Sequence, residues 1–343
     1  MVVDAARPDE HAIERAAACL RSGGLVAFPT ETVYGLGAHA LDRGAVRRLF
    51  EVKERPAHDP LIVHVAGLAD VAPLTAGVPQ VASALAARFW PGPLTLVLRR
   101  APIVPPEVTA GLDTVAIRVP AHPVARALLL AARIPVAAPS ANLFSRPSPT
   151  RASHVMDDLA GRIDMVVDAG ATGVGVESTV LDLTTDPPTV LRPGAVSVED
   201  LRCVLPDVRL REAPRGQVLP SPGLLEQHYA PRTPLTLYRG EAGAVLTALR
   251  REAETARAGG RRVGVLGTRE TVAALHATAA AVADLGPETD AGQVASRLYA
   301  ALRELDAAGL DAILAADVAH DHGLWRAVRD RLQRASTEVI RVS

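Results

Sequence analysis

Of the 37 lysines and arginines in this chain, a single one is lysine. It stands in "FEVKERPAHDPLIVHV", residues 50–65, two places before Arg55. Pro56 follows and biases Arg55 toward extended backbone, so a helix should stop here. In extended geometry residues i and i+2 point the same way, and Lys53 and Arg55 then converge on one spot. Lysine is a compact point charge, whereas arginine is planar and forked. A lysine kept where every other basic residue is arginine suits a tight pocket for a phosphate oxygen. The plainer alternative is a solvated helix end whose cations answer the C-terminal dipole.

Other polar groups stand at places where strands should end. "AAPSANLFSRPSPT" (137–150) carries Ser140, Asn142, Ser145, Ser148 and Thr150 among three prolines. Such a stiff loop can present hydroxyls and backbone N–H groups, or be a polar turn and nothing more. "GVESTVLDL" places Ser178 and Thr179 where a glycine-bounded loop enters a strand, and Arg192 precedes a Pro-Gly turn. Arg118 lies inside the apolar "VAIRV", where a buried guanidinium needs an anionic partner, from the protein or from a ligand. His64 in "LIVHV" reads equally as a ligand contact or a satisfied core histidine. This set binds and positions polyanions more readily than it forms a covalent nucleophile–base pair, which suits phosphoryl or nucleotidyl transfer.

Several classes fall away. No Walker A loop, G-x-S-x-G or H-E-x-x-H is present. No cluster has metal-ligand spacing, and His320, Asp321 and His322 read as solvated residues of a terminal loop. Cys19 and Cys203 form no CxxC and suit free thiols in a reducing compartment, the cytoplasm. No run approaches a membrane span and the N-terminus is no signal peptide. A net charge of −1 and 3% aromatics count against the main alternative, a tRNA- or double-stranded-RNA-binding module without catalysis.

The elements that must hold these residues form two α/β domains, as 343 residues suggest. Residues 9–200 alternate irregularly. A helix over "PDEHAIERAAACLR" and strands "LVAF", "LIVHV", "LTLVL", "TVAIRV", "IPVAA", "MVVDAG", "STVLDL" and "TVLRPG" predict a twisted mixed sheet. "PTETVYGLGAHALD" is polar and glycine-punctuated and reads as a loop. Residues 201–234 are proline-rich and read as a linker or lid. Residues 235–343 repeat strand and helix regularly, predicting a Rossmann-like open parallel sheet. That sheet lacks G-x-G-x-x-G, so a dinucleotide site is not expected.

The motifs "FPTETVYGLG", "KERPAHDPLIVHV", "FWPGPLTLVL", "VAIRVPAHP", "APSAN", "ESTVLDL" and "LRPGAVS" stand in the order of the YrdC-like threonylcarbamoyl-AMP synthases. "SPGLLEQHYAP" and the βα repeat resemble the linker and C-terminal domain of that family's longer form. The resemblance implies that L-threonine, bicarbonate and ATP, with Mg²⁺ held mainly by phosphates and water, give threonylcarbamoyl-AMP and pyrophosphate. A transferase complex would then modify the adenosine beside the tRNA anticodon, with a weak tRNA contact by this chain left open. Carried over by position, Lys53, Arg55, Ser140 and Asn142 surround the reacting phosphates and carboxylate. Thr32, His64, Arg118 and Ser178 hold threonine. Asp59, Thr114, Ser148 and Arg192 lie on the nucleotide side, and Tyr229 of "HYAP" closes over the site. The chain departs from the family's linker pattern at Leu225 and Gln227, where basic residues are common, which puts a linker charge on the phosphates in doubt.

Overall fold

The computed structural model describes residues 1–211 and 228–343. These fall into two units, residues 1–144 with 148–211, and residues 145–147 with 228–343.

In the first unit the chain runs α1 (Glu10–Arg21), β1 (Val26–Pro29), β2 (Tyr34–His39), α2 (Arg43–Lys53), β3 (Ile62–His64), α3 (Gln80–Phe89), β4 (Leu94–Arg99), α4 (Pro106–Thr109) and β5 (Thr114–Arg118). It continues through α5 (Pro123–Ala132), β6 (Val136–Ala137), α6 (Ala152–Leu159), β7 (Met165–Val166), β8 (Thr179–Asp182), β9 (Thr189–Arg192), α7 (Val198–Arg202) and β10 (Arg209–Leu210). The ten strands form one sheet, ordered β10-β9-β8-β4-β5-β3-β6-β2-β1-β7. It is mixed: β3 and β5 run parallel, as do β4 and β8, while β4 and β5 run antiparallel. Alternation along β1 sends Val26 and Phe28 into a core with α1 and α5. Ala27 and the preceding Leu25 enter the core on the other face, with Val46 and Leu49 of α2. A sheet covered on both faces needs apolar residues at successive positions, which is why these strands read as short continuous apolar runs.

The segment expected as a loop after "FPTET" is strand β2. Its Gly35 and Gly37 look like turn residues but serve close packing. A Cβ on Gly37 would come within 2.9 Å of both Phe28 and Val136. Glycine inside a strand marks such an approach.

In the second unit β11 (Leu235–Gly240), α8 (Ala242–Ala258), β12 (Val263–Gly267), α9 (Arg269–Leu275), β13 (Ala281–Asp284), α10 (Ala291–Ala307), β14 (Ala312–Ala316), α11 (Gly323–Ala335) and β15 (Glu338–Val342) alternate. The sheet is parallel throughout, ordered β13-β12-β14-β11-β15. The expected Rossmann-like architecture is present, with β15 added at one edge. That strand is largely exposed and has no continuous apolar run to announce it.

Candidate active site

The cluster is built where strands of the first sheet end. β5 finishes at Arg118, and His64 of β3 sits opposite it in register. Arg118 is 3% exposed and engaged on every side. Its Nε donates to the Gly92 carbonyl at 3.2 Å and its Nη1 to Thr32 Oγ1 at 3.0 Å. Its Nη2 lies 2.7 Å from Glu31 Oε1. Thr32 is held in turn by Thr30, whose hydroxyl is 2.8 Å away and also donates to the Val33 carbonyl. Burial pushes the Glu31 carboxyl up, but the Arg118 guanidinium outweighs it and holds the group below the usual carboxylate range. Burial, and then the charge of Arg118, push the His64 imidazole down to about 3. The ring is therefore neutral at neutral pH, and its buried Nδ1 has no hydrogen-bond partner among the described residues.

A second set of charges gathers at the end of α2. Glu54 closes that helix in the left-handed region, φ 55°, and Arg55 N–H reaches back to the Phe50 carbonyl at 3.0 Å. The sequence reading had Lys53 and Arg55 converge through extended backbone. A left-handed helix cap brings them near each other instead. Lys53 is 1% exposed, and its Nζ donates to the carbonyls of Ser140 and Asn142, both at 2.5 Å. Phe144 N–H donates to the Lys53 carbonyl at 2.9 Å, so backbone and side chain of one residue tie down the Ser140–Phe144 loop. Burial, and then the neighbouring Arg55, hold the ammonium well below its ordinary value.

Arg55 pairs with Asp59 at 2.8 Å and donates to the carbonyls of Asp59 and Pro60. Burial pushes the Asp59 carboxyl up against the pull of Arg55, His58, Arg192 and Lys53. Arg192 donates to the Ser178 carbonyl from Nε and Nη2, at 3.2 and 3.1 Å, and to its hydroxyl at 3.2 Å. The Ser178 hydroxyl also meets Thr95 Oγ1 at 2.8 Å, and Thr95 stands opposite Arg118 in register. Next to Ser178, Glu177 accepts from Ser148 Oγ at 2.5 Å. Ser140 bridges to Gly35 of β2.

Three bonded groups thus gather at these strand and helix ends: Arg118 with Thr32, and His64 opposite Arg118 in register; Arg192 with Ser178; and Arg55 with Asp59 beside Lys53, Ser140 and Asn142. Thr95 stands between the first two, the charges of Arg192 and Lys53 act on Asp59, and Ser148 borders the set through Glu177. Thr114 is not drawn in. It opens β5, four residues or roughly 13 Å from Arg118, and no side-chain hydrogen bond joins it to the cluster among the described residues. Tyr229 belongs to the second unit. It is buried there against His228, Tyr299 and Arg331, with ring centroids 4.1 and 5.5 Å away and the guanidinium 5.3 Å over its ring. The linker positions Leu225 and Gln227 lie outside the described residues.

The family model described as "Telomere recombination" matches residues 18–194, and that described as "Threonylcarbamoyl-AMP synthase, C-terminal domain" matches residues 196–337. Curated threonylcarbamoyl-AMP synthases of Pyrococcus abyssi and Bacillus subtilis are 44% and 43% identical. The matches cover 96% and 98% of this chain and 95% and 96% of theirs. The chain belongs to the threonylcarbamoyl-AMP synthase family. It has the long form with the additional C-terminal domain. Among solved structures, the P. abyssi Sua5 protein complexed with L-threonine superposes with a TM-score of 0.94 at 42% identity, over the whole of both chains.

Three neighbours escaped the sequence reading. Glu31, Thr95 and Glu177 each touch an expected site residue. Thr95 could have been found as the one hydroxyl in the apolar strand "LTLVL". Glu31 and Glu177 adjoin Thr32 and Ser178 in sequence but carry no signal of their own. Glu31 is engaged by Arg118, Asp59 by Arg55 and Glu177 by Ser148, while the buried Asp158 faces the charge of Lys53. That donor set does not fit an all-protein cage for a divalent cation. It fits a magnesium ion carried on nucleotide phosphates and water, which needs few protein ligands.

Proposed function

We propose that this enzyme joins L-threonine, bicarbonate and ATP into threonylcarbamoyl-AMP and pyrophosphate. The observation that carries the reading is the Arg118 cluster. A buried guanidinium, a neutral imidazole and the Thr32 hydroxyl meet at one strand end, and Thr95, opposite Arg118 in register, bonds Ser178, which Arg192 holds in turn.

The neutral amine of threonine attacks the carbon of bicarbonate, and the departing hydroxide takes an amine proton and leaves as water, giving the N-carboxylate. One carboxylate oxygen then attacks the α-phosphorus of ATP. The bond from phosphorus to the bridging oxygen breaks, and its electron pair departs with pyrophosphate. Arg118 is the fork for the amino-acid carboxylate, exchanging part of its contact with Glu31 for the substrate. His64, neutral and with Nδ1 uncommitted among the described residues, accepts a hydrogen bond from the substrate where an imidazolium could not. Thr32 and Ser178 supply hydroxyls to threonine. Arg55 and Arg192 stabilise charge moving onto pyrophosphate, aided by Asp59, which holds Arg55 in place. Lys53 acts through the Ser140–Asn142 loop that it holds, and Ser148 and Thr114 are assigned to the nucleotide side. Magnesium, when bound on the phosphates, supplies further charge neutralisation there. The product serves a transferase that modifies tRNA, which sets the cytoplasm as the working compartment. No helix among the described residues is long and apolar enough to cross a membrane.

Pyrophosphate release from Mg-ATP, with and without threonine and bicarbonate, tests the reading. Release is expected only when both are present. Release that ignores bicarbonate would replace it with simple amino-acid adenylation.

A further inference from the structure

A cavity of about 610 Å³ opens in the first unit, and none of its lining residues belongs to the cluster described above. Its wall is aliphatic, with Leu41, Val65, Leu74, Leu129 and Pro135 among the contributors. Ile103 and Leu130 also line it, and they stand 56% and 57% exposed. Apolar concavities of ~300–1,000 Å³ with a few placed polar groups are the usual form of small-molecule sites. Two large aliphatic side chains left in water beside such a cavity mark a surface that gains by being covered.

The lining selects among ligands. It contains no aromatic ring, side-chain hydroxyl or amide. A nucleobase or sugar would leave its water hydrogen bonds there for nothing in return. An alkyl chain loses nothing. Two charged residues complete the wall, Asp70 and Arg133. Asp70 is used locally, accepting the Gly67 N–H at 3.0 Å. Arg133 follows α5 as its left-handed cap, φ 53°, and its guanidinium has no hydrogen-bond or ion-pair partner among the described residues. Glu14, which shares a neighbouring cavity with Arg133, is committed to Arg21 at 2.5 Å. Asp70 keeps its own negative charge in the same wall, and the charged donor without a partner among the described residues is the Arg133 guanidinium, which recognises carboxylate.

We infer that this cavity is a second ligand site, distinct from the reaction centre, for a straight-chain carboxylate with its alkyl chain on the aliphatic wall and its head on Arg133. Each methylene added to such a chain should raise affinity about fourfold until the cavity is filled.

The test is calorimetric titration of the full-length protein with hexanoate, octanoate and decanoate below their micelle concentrations. Decanol and decylamine serve as neutral and reversed-charge probes. Affinity should climb along the acid series, and decanoate should bind at least tenfold tighter than decylamine. Arg133→Asn, a residue that tolerates positive φ, should abolish the preference of decanoate over decanol while keeping the chain-length dependence. Leu130→Asp, at an exposed position, should weaken every probe without loss of fold. Absence of heat, affinity independent of chain length, or affinity unchanged in both variants would overturn the site. Sedimentation showing a dimer that Leu130→Asp dissociates would overturn it too, by making this face a contact between copies. So would flotation of the protein with phosphatidylglycerol vesicles in preference to binding free acid.

Discussion

Lys53→Met should destabilise the first unit measurably. The thioether keeps most of the aliphatic stem but removes both bonds from Nζ, which reach the Ser140 and Asn142 carbonyls at 2.5 Å. A buried carbonyl left without a donor costs ~1–3 kcal/mol, so the two together lose roughly 2–6 kcal/mol. Part of that is offset because the burial of an ammonium, which pulls its ionisation well below the ordinary value, is relieved. A net loss of about 2–3 kcal/mol remains. For a domain of this size ~1 kcal/mol moves the unfolding temperature by ~2–4 °C, so a drop of roughly 4–12 °C is expected. Differential scanning calorimetry reads it. The offset has a sign that can be checked. The folded chain holds the Lys53 proton less tightly than the unfolded one, so this group's contribution grows as pH rises below the ordinary lysine value and is lost as pH falls. The gap between wild type and variant should therefore widen as pH rises toward the ordinary lysine value. Lys53→Arg should not restore stability, because a planar fork does not replace a point donor between two carbonyls. An unfolding temperature within 1 °C of wild type in Lys53→Met would refute the claim that this lysine staples the loop.

Acid should act on the first unit through His64. Its imidazole stays neutral in the folded chain down to about pH 3 but protonates near 6.5 once unfolded. Stability should therefore fall as pH drops from 6.5 toward 3, by up to roughly 5 kcal/mol from this residue; urea titrations of wild type and His64→Gln at pH 7 and pH 5 check it, the variant losing less on acidification. Arg118→Lys keeps the charge and loses the fork, so the KM for threonine should rise ~10- to 100-fold with a smaller effect on kcat; steady-state pyrophosphate release would show an unchanged KM if the carboxylate lies elsewhere. In Gly194→Ala the new Cβ would stand 2.3 Å from Thr179 N, 2.5 Å from Ser178 C and 2.6 Å from Glu177 O. Backbone must shift to admit it, so the variant should lose threonine binding in titration calorimetry as well as thermal stability.

The sequence alone carried the class of each unit and most of the residues in the cluster. Runs such as "LTLVL" and "VAIRV" announce buried strands because a sheet covered on both faces needs apolar residues at successive positions. An arginine inside such a run, and a lone lysine at a helix end, stand out because burying charge is costly unless something answers it. Other features could not be read from local pattern. β2 looked like a loop because its glycines are turn residues anywhere else, and only packing against Phe28 of the paired strand and Val136, 99 residues away, explains Gly37. β15 escaped notice because an exposed edge strand has no apolar face to display. The meeting of Lys53 and Arg55 was expected for the wrong reason, since a left-handed cap at a glutamate leaves no signature of its own. What answers each charge was likewise decided by tertiary structure. Glu31 reaches Arg118 across 87 residues, and the carbonyls of Ser140 and Asn142 reach Lys53 across 87 and 89. The type of a residue says that a partner must exist, whereas its identity depends on which strand ends the fold brings side by side.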